Sequence, residues 1–189
     1  MPMPELAKDL SRLSLDQIAQ MAADTKLPPV DRWDPPLSGD SLIRIARDGR
    51  WYHDGGLIER ENLVRLLATI LRREADGGYV LVTPVEKQSV AVEDAPFMAV
   101  EVKSEGTGRG RTLAFRLNVG DMVIADADHP IRFDSREGEP APYLAVRGGM
   151  EARIARAVFY ELADLALGEA NDPPGLWSGD RFFSMAALL

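Results

Sequence analysis

The sequence predicts an α+β fold built from two related halves, and three observations carry that expectation. Strand-type runs such as Tyr79-Val80-Leu81-Val82 occur beside amphipathic helical stretches, so neither class dominates. A strand, an Asp/Gly turn, a second strand and an amphipathic helix occur twice, 87 or 88 residues apart, with Ile43-Arg44-Ile45 matching Ile131-Arg132-Phe133 and Arg60 matching Arg147. Two copies are too few for a solenoid, which leaves two halves facing one another. With 189 residues, 46% of them hydrophobic, the chain has ample material for such a core.

From the N-terminus, residues 4 to 25 read as a helical arm: Leu6, Leu10 and Leu13 recur at helical spacing. Ser14 and Gln17 form a capping-box pattern that starts a second short helix carrying Ile18 and Met21. Such an arm packs on the body, on a second subunit in a homo-oligomer, or on a partner. Four prolines between residues 28 and 36 then fix an extended linker without helix or central strand. Ser41 to Ala46 and Trp51 to His53 flank the turn Arg47-Asp48-Gly49-Arg50 as a hairpin. A helix is expected from Glu59 to Arg73, its stripe made by Leu63, Leu66, Leu67, Ile70 and Leu71, until Asp76-Gly77-Gly78 stops it.

Ser89 to Ala125 reads as antiparallel strands, with Met98, Val100 and Val102 on one face and Leu113, Phe115 and Leu117 on another. The glycine-rich Ser104 to Gly110 between them is expected to be a flexible hairpin loop. Ile131 to Phe133 and Tyr143 to Arg147 are strands, and a helix is expected over 149–167. The domains implied are an arm over 1–26, an N-terminal α+β domain over 27–90 and a C-terminal α+β domain over 91–189.

A net charge of −8 argues against long nucleic acid and anionic membrane as partners, while leaving room for a small anionic ligand held by a few local cations. Without cysteine there are no disulfides, thiolate nucleophiles or Cys-based zinc sites. The start carries no basic and apolar leader pattern, and no window approaches the length of a membrane span, so the expectation is a soluble cytoplasmic protein.

Three carboxylates mark the leading site candidate. Glu86 lies in Thr83-Pro84-Val85-Glu86-Lys87, and Glu93 and Asp94 in Val92-Glu93-Asp94-Ala95-Pro96-Phe97, each next to apolar residues or proline. Acids so close to a core must be solvated, paired or used. Arg60 and Arg147, each expected where a strand turns into a helix, suit an anion: a ligand phosphate or carboxylate, or one of those acids. Trp177, or Trp51, could stack on a flat ligand or fill the core. Asp126, Asp128 and His129 read as a solvated turn rather than a metal site, His53 as a hairpin-end residue rather than a base, and no serine sits in a nucleophile elbow. No metal or cofactor is expected.

These motifs, together with Ile45-Ala46-Arg47-Asp48-Gly49-Arg50-Trp51, His53, Gly55, Ile58, Arg60, Arg147 and Trp177-Ser178, resemble the bacterial domain-of-unknown-function 1285 family over roughly residues 27 to 185. The resemblance implies two α+β domains sharing a repeated motif, the second superficially like a pleckstrin-homology fold. It further implies a nucleotide-like ligand at the domain interface and a role in signal transduction. It supplies no catalytic residues, and whether the protein is an enzyme stays open. The function expected is therefore binding of a small anionic ligand by Arg60, Arg147, Thr83, Glu86, Glu93, Asp94, Trp177 and Ser178. The alternatives are a hydrolase using a carboxylate pair and a protein-interaction module.

Overall fold

A computed structural model of the chain describes residues 10–188. The arm expected before residue 10, including Leu6, lies outside the described residues. The described chain begins with a 3-10 turn, Leu10–Arg12, and helix α1, Leu15–Asp24. The capping box forms as the sequence requires: Ser14 Oγ accepts from the Gln17 amide at 3.2 Å, and Gln17 Oε1 accepts from the Ser14 amide at 2.9 Å. Ile18 and Leu10 are fully buried against Ala114 and Met122, so the arm packs on its own chain. The linker is less extended than its prolines suggest. Val30–Arg32 forms a 3-10 turn, held because Arg72 Nη1 donates to the carbonyls of Val30 and Trp33 at 2.7 Å each.

The first half is one six-stranded sheet. Its strands are β1 (Leu37–Ile45), β2 (Trp51–His53), β3 (Gly56–Leu57), β4 (Leu71–Arg73), β5 (Tyr79–Val82) and β6 (Lys87–Val92), with helix α2 (Glu61–Thr69) between β3 and β4. The helix expected to reach Arg73 stops four residues early, and Leu71–Arg73 pairs with β5 instead. Its apolar stripe is also narrower than expected. Ala68, Val64, Leu67 and Ile70 face the core, while Leu63 and Leu66 are exposed.

The second half is another six-stranded sheet: β7 (Phe97–Glu105), β8 (Thr112–Leu117), β9 (Met122–Ile124), β10 (Ile131–Arg136), β11 (Glu139–Arg147) and β12 (Met150–Ile154). Helix α3 (Arg156–Glu169) comes next, then a separate hairpin, β13 (Gly175–Ser178) and β14 (Arg181–Ser184). The helix expected from residue 149 thus starts seven residues later, because Met150–Ile154 is a strand.

The strand orders show how the halves are related. The first sheet runs β3-β2-β1-β6-β5-β4, and the second, read from its β9 edge, β9-β8-β7-β12-β11-β10. Each joins two three-stranded antiparallel meanders by pairing its first and last strands in parallel at the centre, β1 with β6 and β7 with β12. The second sheet is therefore mixed and not wholly antiparallel. The shared plan equates β1 with β7, not with β10. The 87- or 88-residue sequence repeat matches a central strand with an edge strand and does not superpose equivalent positions. The boundary expected between residues 90 and 91 falls inside β6; the chain passes between the sheets over residues 93–96.

One apolar core runs through both halves, from Ile45, Trp51 and Leu71 to Phe97, Leu117, Leu144 and Ile154, with Val158, Leu162 and Ala166 of α3 closing it. On β8, Leu113, Phe115 and Leu117 face this core while Ala114 faces the arm, so the strand is covered on both sides. Polar struts tie the halves. Asn118 Nδ2 donates to the Gly49 carbonyl at 3.0 Å, and Arg73 Nη1 to the Gly149 carbonyl at 2.9 Å. Gly49 has φ +84°, and a Cβ there would stand 3.0 Å from Asn118 Nδ2, so both backbone and space call for glycine.

The glycine-rich segment is a pinned loop rather than a flexible one. Gly108–Gly110 forms a 3-10 turn, and Glu169 Oε1 at the end of α3 accepts from the Gly108 amide at 2.6 Å and from Arg111 Nη2 at 2.6 Å. Arg111 also donates to Ser104 Oγ. Ser178 is wholly buried; its Oγ donates to the Ala125 carbonyl at 2.6 Å and accepts from the Leu113 amide at 2.9 Å. Ser178→Ala strands that amide in the interior and is expected to lower stability by about 1–3 kcal/mol, read by urea denaturation. A loss indistinguishable from zero would show that the amide finds another partner.

Candidate ligand-binding site

The crossing between sheets bends at residues 93 and 94 and sends the two successive acids to different halves. Glu93 turns to the first half. Its Oε2 accepts from the Arg47 amide at 2.9 Å and its Oε1 from Arg44 Nη1 at 2.5 Å. The Arg47 amide and the Arg44 guanidinium hold this carboxyl below the ordinary carboxylate range. Arg44 in turn lies over the Tyr52 ring, 4.3 Å from its centroid.

Asp94 turns to the second half, and its side chain is only 2% exposed. Oδ1 accepts from Arg136 Nη1 at 2.8 Å and from the Tyr143 hydroxyl at 2.7 Å, while Oδ2 lies 3.5 Å from Arg153 Nη1. Arg153 also donates to the Tyr143 hydroxyl at 3.0 Å and to the Pro140 carbonyl at 2.9 Å. Burial, with the hydrogen bond to Asp94 as the second cause, pushes the Tyr143 hydroxyl above its ordinary range and keeps it protonated as a donor. Arg132, Arg136 and Arg153 approach the same ring within 4.5, 5.7 and 5.2 Å of its centroid. A buried carboxylate is tolerated here because it is paired and hydrogen-bonded on both oxygens.

Above this cluster lie two adjoining pockets of 210 and 280 Å³ that share Arg47, Glu139 and Arg153. The smaller adds an apolar wall of Met98, Pro142 and Phe159, with Tyr160 and Arg156 at its edge; the larger adds Arg136 and Asp94. Four arginines face three carboxylates across the pair, a locally positive cleft on an acidic protein. Arg47, on the β1–β2 turn, is exposed, and its guanidinium makes no hydrogen bond or ion pair among the described residues. The cleft thus draws cations from both halves and places an apolar wall beside them.

The other expected site residues lie elsewhere. Arg60 is at the N-cap of α2 as expected, exposed and giving no side-chain cap. Arg147 ends β11 and leads into another strand, not a helix. Its Nη1 donates to Asp121 Oδ2 at 2.8 Å, its Nη2 to the Ala68 carbonyl at 3.0 Å, and its guanidinium covers the Phe97 ring. It is a strut between the halves. Thr83 Oγ1 organises the β5–β6 turn by accepting from the Glu86 amide at 3.2 Å, and the Glu86 side chain is exposed. Trp177 packs on Phe182, centroids 5.3 Å apart, under Arg109, and neither it nor Ser178 lines the cleft. Asp126 Oδ1 is spent on the amides of Asp128 and His129, and among the described residues no group of acids and histidines is placed to hold a metal. Among the same residues no helix is long and apolar enough to cross a membrane.

Of the candidate residues, then, only Asp94 lines the cleft, while Glu93 stands behind it and holds the Arg47 backbone amide. Arg47, Arg136, Tyr143, Arg153 and Arg156 were not singled out from sequence. Arg153 could have been, since Met150-Glu151-Ala152-Arg153-Ile154 alternates strictly and puts its charges on one strand face.

Comparison with known families matches residues 28–95 to the N-terminal domain of DUF1285, a domain of unknown function, and residues 96–185 to the C-terminal domain of the same family. The chain belongs to the DUF1285 family. The junction between the two matches, at residues 95 and 96, lies in the segment where the chain leaves the first sheet for the second. A DUF1285 protein from Silicibacter pomeroyi, solved by crystallography, is 46% identical with a TM-score of 0.78, over 90% of this chain and 93% of that one. A second, from Shewanella baltica, is 26% identical with a TM-score of 0.52, over 69% of this chain and 98% of that one. No curated protein matches the chain.

Proposed function

We propose that this DUF1285 protein binds a small anionic, nucleotide-like ligand in the cleft between its halves, in a regulatory or signalling role. The observation that carries the reading is Arg47, an exposed guanidinium without a hydrogen-bond partner among the described residues, facing Arg153 and Arg136 around the buried Asp94. Asp94 and Tyr143 fix the two second-half arginines, so an arriving anion finds donors already oriented. The apolar wall at Met98 and Phe159 suits a flat base or ring beside the charged group. A likeness of the second half to a pleckstrin-homology fold, with α3 following its sheet, belongs to the same reading. Carboxylate-pair hydrolysis is less well served: Glu93 and Asp94 face different halves, and the Glu93 carboxyl is lowered rather than raised as a general acid needs.

Thermal shift against nucleoside mono-, di- and triphosphates and inorganic phosphate tests this. A ligand at 100 times its Kd stabilises by about 2.7 kcal/mol, about 5–10 °C for a chain this long. Arg47→Ala is expected to abolish the shift while leaving the ligand-free melting temperature in place. No shift from any of these compounds, or an undiminished shift in Arg47→Ala, would overturn the proposal.

A further inference from the structure

A second pocket between the halves, of 300 Å³, holds a chemical imbalance that the arginine cleft does not explain. One wall comes from the first half through Trp51, Ile58, Val64 and Arg65, and the other from β7 through Met98 and Val100. Trp51 is 2% exposed, and its Nε1–H meets no acceptor among the described residues. Arg65 Nε–H, also buried, meets none either. A buried indole or guanidinium N–H normally finds a partner, and two orphaned donors lining one pocket mark where an acceptor belongs.

We infer that this pocket is a binding site for a small monocarboxylic acid with an apolar body, its carboxylate accepting from Trp51 Nε1 and Arg65. The single negative charge is set by the pairing of the lining arginines. Arg116 is neutralised by Glu101 at 2.7 Å; Arg50, its side chain 67% exposed, is solvated beside Asp48; and Arg65, the one with a buried orphaned donor, has only a 3.7 Å contact with Glu61, whose side chain is 85% exposed. Glu61 yields Arg65 to a ligand by turning to water, which leaves one positive charge for one carboxylate. The apolar body matches Ile58, Val64, Met98 and Val100, and the volume sits at the small end for ligand pockets. This acid site shares the Met98 wall with the anion cleft but none of its charged residues.

Trp51 is its own reporter. In a Trp33→Phe, Trp177→Phe background it is the sole indole, since the chain has three tryptophans. Titration of that protein with phenylacetate and 4-methylpentanoate is expected to change its emission saturably, and phenylacetamide to bind at least about tenfold more weakly. Arg65→Met is expected to weaken the acids about tenfold or more. Leu57→Glu, which sets a repelling charge on the exposed rim, serves as the second variant and is expected to do the same without touching the core. Arg47→Ala should leave acid binding unchanged, which separates this site from the arginine cleft. The inference is overturned by the absence of any saturable response, by equal binding of acid and amide, by indifference to both Arg65→Met and Leu57→Glu, or by loss of binding in Arg47→Ala.

Discussion

Glu169→Ala is expected to destabilise this protein by about 3–5 kcal/mol, measured by urea denaturation, because it leaves the Arg111 guanidinium buried without its counter-charge. Arg111 is 6% exposed and the Glu169 side chain 12%, so water replaces the lost partner only in part. The same carboxylate also caps the Gly108 amide, and its removal frees the β7–β8 loop. Arg111→Met with Glu169→Leu together are expected to regain most of the loss, since an apolar pair of similar volume avoids the desolvation of both ions. A loss below about 1 kcal/mol in Glu169→Ala would mean the pair is solvated in practice. The pH dependence has a defined sign. Burial works to raise the Glu169 carboxyl, but the Gly108 amide and Arg111 outweigh it and hold it below its ordinary value of 4.5. Its contribution is therefore complete above the unfolded pKa and disappears as pH falls through the lower folded one. Glu169→Gln should accordingly show a shallower loss of stability below pH 4.5.

Asp94→Ala is expected to cost about 3 kcal/mol by the same kind of measurement, leaving Arg153 and the Tyr143 hydroxyl without their common acceptor. Asp94→Asn keeps an acceptor for Tyr143 and is expected to recover part of this while forfeiting the charge. The two variants separate the hydrogen bond from the ion pairs. If both are neutral, Asp94 does not organise the cleft and the preorganisation argued for Arg136 and Arg153 fails with it.

How much of this was readable beforehand depended on whether a pattern was ambiguous. The capping box at Ser14 and Gln17 and the strand Tyr79–Val82 are local signals with one meaning, and they form as expected. Met150 and Ile154 are four apart, a spacing shared by a helix stripe and a strand face; only the alternating Glu151 and Arg153 distinguish the two, and the long helix that follows masks them. The end of α2 had no Gly or Pro to mark it, and the β-branched Thr69 and Ile70 were the only hint. For the site, the crossing segment with Glu93 and Asp94 could be located because acids beside Pro96 and Phe97 need partners. Those partners could not be named. Arg136, Tyr143 and Arg153 lie 42 to 59 residues away and meet Asp94 only through a sheet register that local sequence does not state.

The central parallel pairs bear on how the molecule comes into being. In each half the opening strand must wait, beside an unfilled place, for the strand made last: β1 for β6, and β7 for β12. Neither sheet can zip outward from a local hairpin to completion, because its middle is the contact most distant in sequence. During synthesis the first sheet can pair its central strands once Val92 has left the ribosome, before the strands of the second have emerged. The first half then offers its share of the common core as the surface on which the second assembles, and Arg73 and Gly49 precede Gly149 and Asn118 in the order of synthesis.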